Sequence, residues 1–169
     1  YANNTCDYSA VFGKYVELSG SMITQECTLG KIEGLEYYFK NCTVGYNNGN
    51  DAKVILTSEH PYVIASLDIM YNGELIAKGT KENPIKFVGA SDRGLTNASN
   101  QISITQNSSS DYLSGKATFE NCEFDNVKMQ ANIISKNTGY EGEIPQTLTV
   151  KDCKFTNESS GMYVTLNSY

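Results

Sequence analysis

Phe119-Glu-Asn-Cys122-Glu-Phe124-Asp-Asn126 and Val150-Lys-Asp-Cys153-Lys-Phe155-Thr-Asn157 are one phrase written twice, and Phe39-Lys-Asn-Cys42-Thr-Val44 is a third, shorter copy. Each reads apolar, charged, Asn or Asp, Cys, variable, apolar. A unit repeated within one chain predicts a repeated structure. Repeat folds present long surfaces that need carry no chemistry, so the phrase speaks to architecture before it speaks to function.

Within a strand, residues two apart share a face. Cys42 with Val44, Cys122 with Phe124, and Cys153 with Phe155 are therefore expected to form an inward core ladder. The residues between them, Thr43, Glu123 and Lys154, then face solvent with Asn41, Asn121 and Asp152. The copies lie 80 residues apart (42 to 122) and 31 apart (122 to 153). One coil of a solenoid takes roughly 20–35 residues, so 31 reads as one coil and 80 as three, with all copies stacked. Glu120 then sits over Lys151 and Glu123 over Lys154, cross-strand pairs that contribute ~0.2–1 kcal/mol each.

The rest of the chain agrees with strands. Short runs with apolar alternation recur at 36–44, 53–57, 62–70, 74–77, 85–88, 101–105, 132–135, 147–150 and 162–166, with turn residues between them. Helical periodicity is missing. Gly20, Gly30 and Gly34 interrupt the least strand-like segment, and each Gly inside a helix costs about 1 kcal/mol relative to Ala. Only Asn72-Gly73 makes a good two-residue hairpin turn, which argues against a sandwich. The expected fold is all-β: a single-stranded right-handed parallel β-helix over residues 35–169, behind an irregular N-terminal cap over residues 1–34.

One further segment resembles a phrase of the pectin-lyase-like superfamily of right-handed parallel β-helix proteins, many of them secreted bacterial proteins. Leu75, Ala77, Gly79, Thr80, Pro84, Ile85, Phe87 and Gly89 carry the resemblance. Gly79 suits a tight corner. Pro84 blocks a helix and opens the next strand where a missing N–H is tolerated. With the Cys-containing copies, the resemblance covers roughly residues 35–166. Enzymes of this kind cut acidic polysaccharides, the lyases with Ca²⁺-binding acidic clusters and the hydrolases with paired Asp residues. Their motifs do not occur in this chain.

Composition narrows the functions. The chain has 169 residues, which suits one domain, and 40% of them are apolar, enough for a core. Net charge is −6 without any basic run, which argues against nucleic acid as a partner. There is one Arg (Arg93), one His (His60) and no Trp. Most general acid–base designs use His, and bidentate anion clamps use Arg. Arg93 reads as part of a solvated turn and His60, before Pro61, as a corner or cap residue. The carboxylates Glu120, Glu123, Asp125 and Asp152 flank the repeated phrase and fit a structural charge ladder better than a two-carboxylate glycosidase site. No run approaches the ~20 apolar residues of a membrane helix. The chain opens on Tyr1-Ala-Asn-Asn-Thr-Cys6 without a visible signal peptide, which reads as a processed or trimmed start.

The five cysteines divide in two groups. Cys42, Cys122 and Cys153 are expected as buried free thiols, since they lack C-x-x-C spacing and a His partner for metal. Cys6 and Cys27 lie outside the repeat and could form one disulfide in an oxidising compartment. Asn47, Asn48, Asn50 and Asp51 could offer oxygen ligands to Ca²⁺ but are too poor in acidic residues for a loop site, and no other cofactor is implied. The N-x-[ST] sequons at Asn3, Asn41, Asn97, Asn107 and Asn157 are what an Asn- and Ser-rich chain produces by chance. Twelve Tyr residues add rings suited to stacking on sugars with the hydroxyl kept wet. The expectation is a non-enzymatic secreted or cell-surface protein for adhesion, display or glycan contact, its partner a glycan or another surface protein. A polysaccharide lyase or glycoside hydrolase with an unfamiliar site, and a structural spacer, are the alternatives.

Overall fold

The computed structural model describes residues 14–45, 51–95, 98–105, 115–136, 148–157 and 159–168. Its strands come in sets of three. The first set is β1 (Tyr15–Ser19), β2 (Met22–Ile23) and β3 (Glu26–Leu29). The second is β4 (Glu36–Lys40), β5 (Cys42–Val44) and β6 (Ala52–Leu56). The third is β7 (Tyr62–Ile64), β8 (Ser66–Ile69) and β9 (Gly73–Lys78). The fourth is β10 (Ile85–Gly89), β11 (Gln101–Thr105) and β12 (Lys116–Glu120), with a short 3-10 turn, Ala90–Arg93, after β10. The fifth is β13 (Cys122–Asp125), β14 (Lys128–Lys136) and β15 (Leu148–Lys151), and β16 (Lys154–Thr156) and β17 (Gly161–Ser168) follow.

First members of each set pair only with first members, in the order β1-β4-β7-β10-β13-β16. Second members form another six-stranded sheet and third members a five-stranded one. Every pairing is parallel. The chain thus crosses the first, second and third sheets in turn and returns to the first one strand further on. This all-β arrangement is that of a parallel β-helix-like solenoid. A circuit is as short as Tyr15 to its partner Glu36 and as long as Glu74 to its partner Lys116.

The core runs down the middle. Alternate residues of most strands from β5 to β13 are buried, as in Ala52, Val54 and Leu56 of β6 or Ala117 and Phe119 of β12. Register places like on like: Val54 beside Leu75, Leu75 beside Ala117, and Val44 beside Ile69. Along the first sheet the register partners are rings. Tyr37, Tyr62, Phe87, Phe124 and Phe155 follow one another. Phe124 stacks on Phe155 at 4.8 Å and 12°, while Tyr37 and Tyr62 stack at 6.1 Å and 16°. Such pairs add ≈ 0.5–1.5 kcal/mol each beyond the area they bury.

The repeated phrase needs one correction. Its Asn or Asp is not a strand residue but a corner, exposed at Asn41 and Asp152 and half-buried at Asn121. Asn41, Asn121 and Asp152 have φ of 52°, 48° and 53°. Asn and Asp visit this left-handed region more readily than other side-chain-bearing residues. The expected strand 36–44 is accordingly broken at Asn41 into β4 and β5. Asn126 and Asn157, at φ of 54° and 77°, are corners too, so each longer copy is a strand of the first sheet held between two left-handed corners.

The stacking of the copies is corrected as well. Cys122 and Cys153 occupy the same corner, between the third and first sheets, one circuit apart. Cys42 occupies the next corner round, on β5 of the second sheet, with Leu67 as its register partner. Its ladder continues through Ile102 and Met129, not through Cys122. The distance from 42 to 122 is therefore not a whole number of circuits, and equal phrases mark two different corners.

The N-terminal segment is also more regular than expected. β1, β2 and β3 lie between residues 15 and 29 and pair with β4, β5 and β6, so a full circuit precedes residue 35. Gly20 and Gly34, with φ of 56° and 70°, serve as corner residues there and interrupt the sequence pattern without interrupting the coil. Residues 1–13, and whatever cap they make, lie outside the described residues.

Candidate functional site

Among the described residues, the outer face of the first sheet carries a built surface groove. It is built by the long connection after β10. Gly89 starts the 3-10 turn, and Gly94, with φ of 72°, ends it, donating its N–H to the Ser91 carbonyl at 3.0 Å. Asn100, itself a left-handed residue and 8% exposed, anchors the turn. Its Oδ1 accepts from the Ser91 N–H at 3.3 Å and its Nδ2 donates to Ser91 Oγ at 2.7 Å. Asn126 Nδ2 donates to Asp92 Oδ1 at 2.6 Å from the next circuit.

So fixed, the turn lies back across β7 onto β4 and β1. Ala90 is buried with Tyr38, Val63 and Ala65 in a second, smaller apolar cluster, against which Tyr15, Leu95 and Ala98 pack. Arg93 donates through Nη2 to Glu36 Oε1 at 3.1 Å, a contact between residues 57 apart in sequence. The Tyr15 and Tyr38 rings sit 5.9 Å apart at 57°. Lys40 bridges to Glu17 at 3.3 Å beside them.

A groove of about 570 Å³ results, lined by Lys14, Tyr15, Glu17, Tyr38, Arg93 and Leu95. Burial pushes the Tyr15 phenol up, and the Glu36 carboxylate pushes it the same way against the Arg93 guanidinium. Burial also raises Tyr38, with the Lys40 ammonium opposing. Both phenols thus stay neutral and able to donate at physiological pH. The groove offers ring edges and faces, neutral hydroxyls, one carboxylate and two cationic side chains. That inventory suits a polyhydroxylated ligand, which is bound by hydrogen bonds and by packing of C–H faces on rings.

No protein-family model, no curated protein and no solved structure matches this chain.

The sequence-predicted ladder residues are placed as follows. Cys42, Val44, Cys122 and Phe124 are buried in the main core. Cys153 and Phe155 are half-buried and pack against it. Cys27 is a half-buried free thiol on β3; Cys6, its expected disulfide partner, lies outside the described residues. Asn47, Asn48 and Asn50 lie outside them too. Among the described residues no group of three or more His, Cys, Asp or Glu could hold a metal ion. None of the helices described is long and apolar enough to cross a membrane.

The expected charge register holds: Glu120 partners Lys151, and Glu123 partners Lys154. Glu120 also forms an ion pair with Lys78 on its other side, at 3.3 Å. His60 is a corner residue whose ring sits between Tyr37 and Tyr62, at 5.2 Å and 4.9 Å, with Nε2 3.2 Å from the Gly30 carbonyl oxygen. Arg93 is the residue that sequence reasoning undervalued. The signal available was the apolar content of its loop, Ala90, Leu95 and Ala98, which a freely solvated turn would not need.

Proposed function

We propose that this chain is a non-enzymatic secreted or cell-surface protein that contacts glycans through the groove on the outer face of its first sheet. The observation that carries the reading is the Tyr15–Tyr38 pair set against the Arg93–Glu36 bridge by a hydrogen-bonded loop anchored on buried Ala90 and Asn100. A loop serving only as a connection has no need to carry the sole arginine across β7 to a distant circuit. The reading takes the coil as right-handed, as about 98% of parallel crossovers are. It also takes the chain as a pectin-lyase-like β-helix, on the Leu75 to Gly89 phrase.

A glycan array with the purified chain tests the reading. Binding to a defined set of oligosaccharides that is lost in Tyr15→Ala and Arg93→Ala supports it. An array without binding favours the spacer alternative. Release of products from a bound polysaccharide, with or without Ca²⁺, replaces binding by catalysis.

A further inference from the structure

Cys122 and Cys153 repeat one geometry on neighbouring strands. Each follows a left-handed corner residue, Asn121 or Asp152. The Cys122 thiol lies 3.4 Å from the carbonyl oxygens of Ala77 and Glu120. The Cys153 thiol lies 3.5 Å and 3.3 Å from those of Phe119 and Lys151. Phe119 is the register partner of Ala77, and Lys151 of Glu120. The residues after the cysteines, Glu123 and Lys154, are partners too. The two cysteines are therefore equivalent positions one strand apart. Neighbouring strands are ≈ 4.7–4.9 Å apart, inside the Cα separation of ≈ 4.4–6.8 Å that disulfides span.

Each thiol also shifts the ionisation of the other, raising Cys122 and lowering Cys153. They differ in access. Cys122 is 1% exposed, whereas Cys153 is half-buried. A cleft of about 460 Å³ opens at this corner, lined by Thr80, Lys81, Cys122, Glu123, Asp152 and Lys154. It reaches Cys122 among two lysines and two carboxylates, while the access of Cys153 is its own partial exposure.

The geometry points to Cys122 and Cys153 as a reversible cross-strand disulfide site, closed by exchange with a low-molecular-weight disulfide. The Cys153 thiolate attacks one sulfur of that reagent. The reagent's S–S bond breaks, and one small thiolate leaves with the electron pair. Cys122 then gives its proton to the released thiolate, and its own sulfur attacks Cys153 Sγ in the mixed disulfide. The second small thiolate leaves and takes the proton that Cys153 lost to solvent. One small disulfide is reduced to two thiols, and two protein thiols become one disulfide.

The order of attack follows from the environments. The neighbouring Cys122 thiol lowers the Cys153 pKa, with burial opposing, while the Cys153 thiol and then burial raise Cys122. The more exposed thiol is thus the one held closer to its reactive form. Cys42 serves as an internal control: it is wholly buried and its register partner is Leu67.

The test incubates the folded chain with oxidised glutathione at neutral pH, alkylates remaining thiols in denaturant and maps the peptides by mass spectrometry. The expected product joins the Cys122 and Cys153 peptides, is undone by dithiothreitol and leaves Cys42 alkylated. Cys122→Ser should stop at glutathione on Cys153, and Cys153→Ser should leave Cys122 unoxidised. The wild-type map decides the matter even where a variant folds poorly. Both cysteines recovered alkylated, or glutathione held on Cys153 of the wild type without a cross-link, overturns the proposal.

Discussion

The ring of Phe124 lies flat on that of Phe87, 4.8 Å away and 4° from parallel, although 37 residues of chain separate them. Phe119 closes the pair edge-on, 5.7 Å from Phe87 and 5.4 Å from Phe124. Phe124 is thus held on both faces and one edge, since Phe155 covers its other side. Phe124→Ala is expected to cost ~3–5 kcal/mol in chemical denaturation. Glu123→Ala, one residue earlier and partly exposed, should stay within about 0.5 kcal/mol. Equal small losses at both positions would contradict the inward facing of the ring.

The corners give a second measurement. Asn121 combines φ of 48° with an Nδ2 donation to the Gly79 carbonyl at 3.2 Å. Asn121→Ala is expected to lose the hydrogen bond and to bear roughly 1–2 kcal/mol of left-handed backbone cost. Asn121→Gly loses only the bond and should be the milder change. Thermal melts that rank Gly below Ala would show that the corner angle is not what selects Asn.

Gly79 faces the same corner from the preceding circuit. A Cβ there would meet the Asn121 carbonyl oxygen at 2.6 Å and the Ile85 nitrogen at 2.7 Å, both backbone. Its N–H is already committed to the Glu120 carbonyl at 2.9 Å. Gly79→Ala should lower the melting temperature by several degrees, an overpacking loss of about 1–3 kcal/mol. A melt unchanged from wild type would mean that the two circuits can move apart there.

Alkaline pH should unfold the chain through Tyr62. Burial pushes its phenol from 10.0 up to about 12, against the hydrogen bonds with Thr57 that favour ionisation. Its hydroxyl accepts from the Thr57 N–H at 2.8 Å and reaches the Leu29 carbonyl at 2.9 Å. Between the two pKa values the unfolded chain has lost this proton and the folded chain keeps it. Stability is therefore intact below pH 10 and falls as pH rises toward 12. Cys42, raised from 9.0 to about 12 chiefly by burial, acts in the same direction from a lower pH. Urea midpoints across this range should fall less steeply in Tyr62→Phe than in wild type.

At the groove, Arg93→Ala should abolish glycan binding while changing stability by no more than about 1 kcal/mol, the usual worth of a partly exposed ion pair. Tyr15→Phe keeps the ring and removes the hydroxyl, so retained binding would assign the contact to stacking and lost binding to the hydrogen bond. Calorimetric titration with an array hit reads both.

The repeat was readable in the sequence because its signal is local. Cys122 and Phe124 declare their face by two-residue alternation, and the spacing of 31 matches one circuit, which is why Glu120 and Lys151 could be paired in advance. The corner angles were not readable by alternation, since a left-handed residue breaks the alternation that would report it. Asn41, Asn121 and Asp152 carried that information in their identity. Cys42 misled because one corner chemistry serves two of the three corners. The groove was least legible. Glu36 and Arg93 meet only through the circuits between them, and nothing near either residue announces the other.

That same bridge has a mechanical consequence. Each circuit of a stacked coil is ordinarily held only by its next neighbours. The loop carrying Arg93 bypasses that rule, because it belongs to the fourth circuit and grips the second while Leu95 packs toward Tyr15 of the first. It works as a tether laid along the rod rather than around it. A ligand seated beneath it would tighten the tether, and amides of β1 and β4 would then exchange more slowly with solvent.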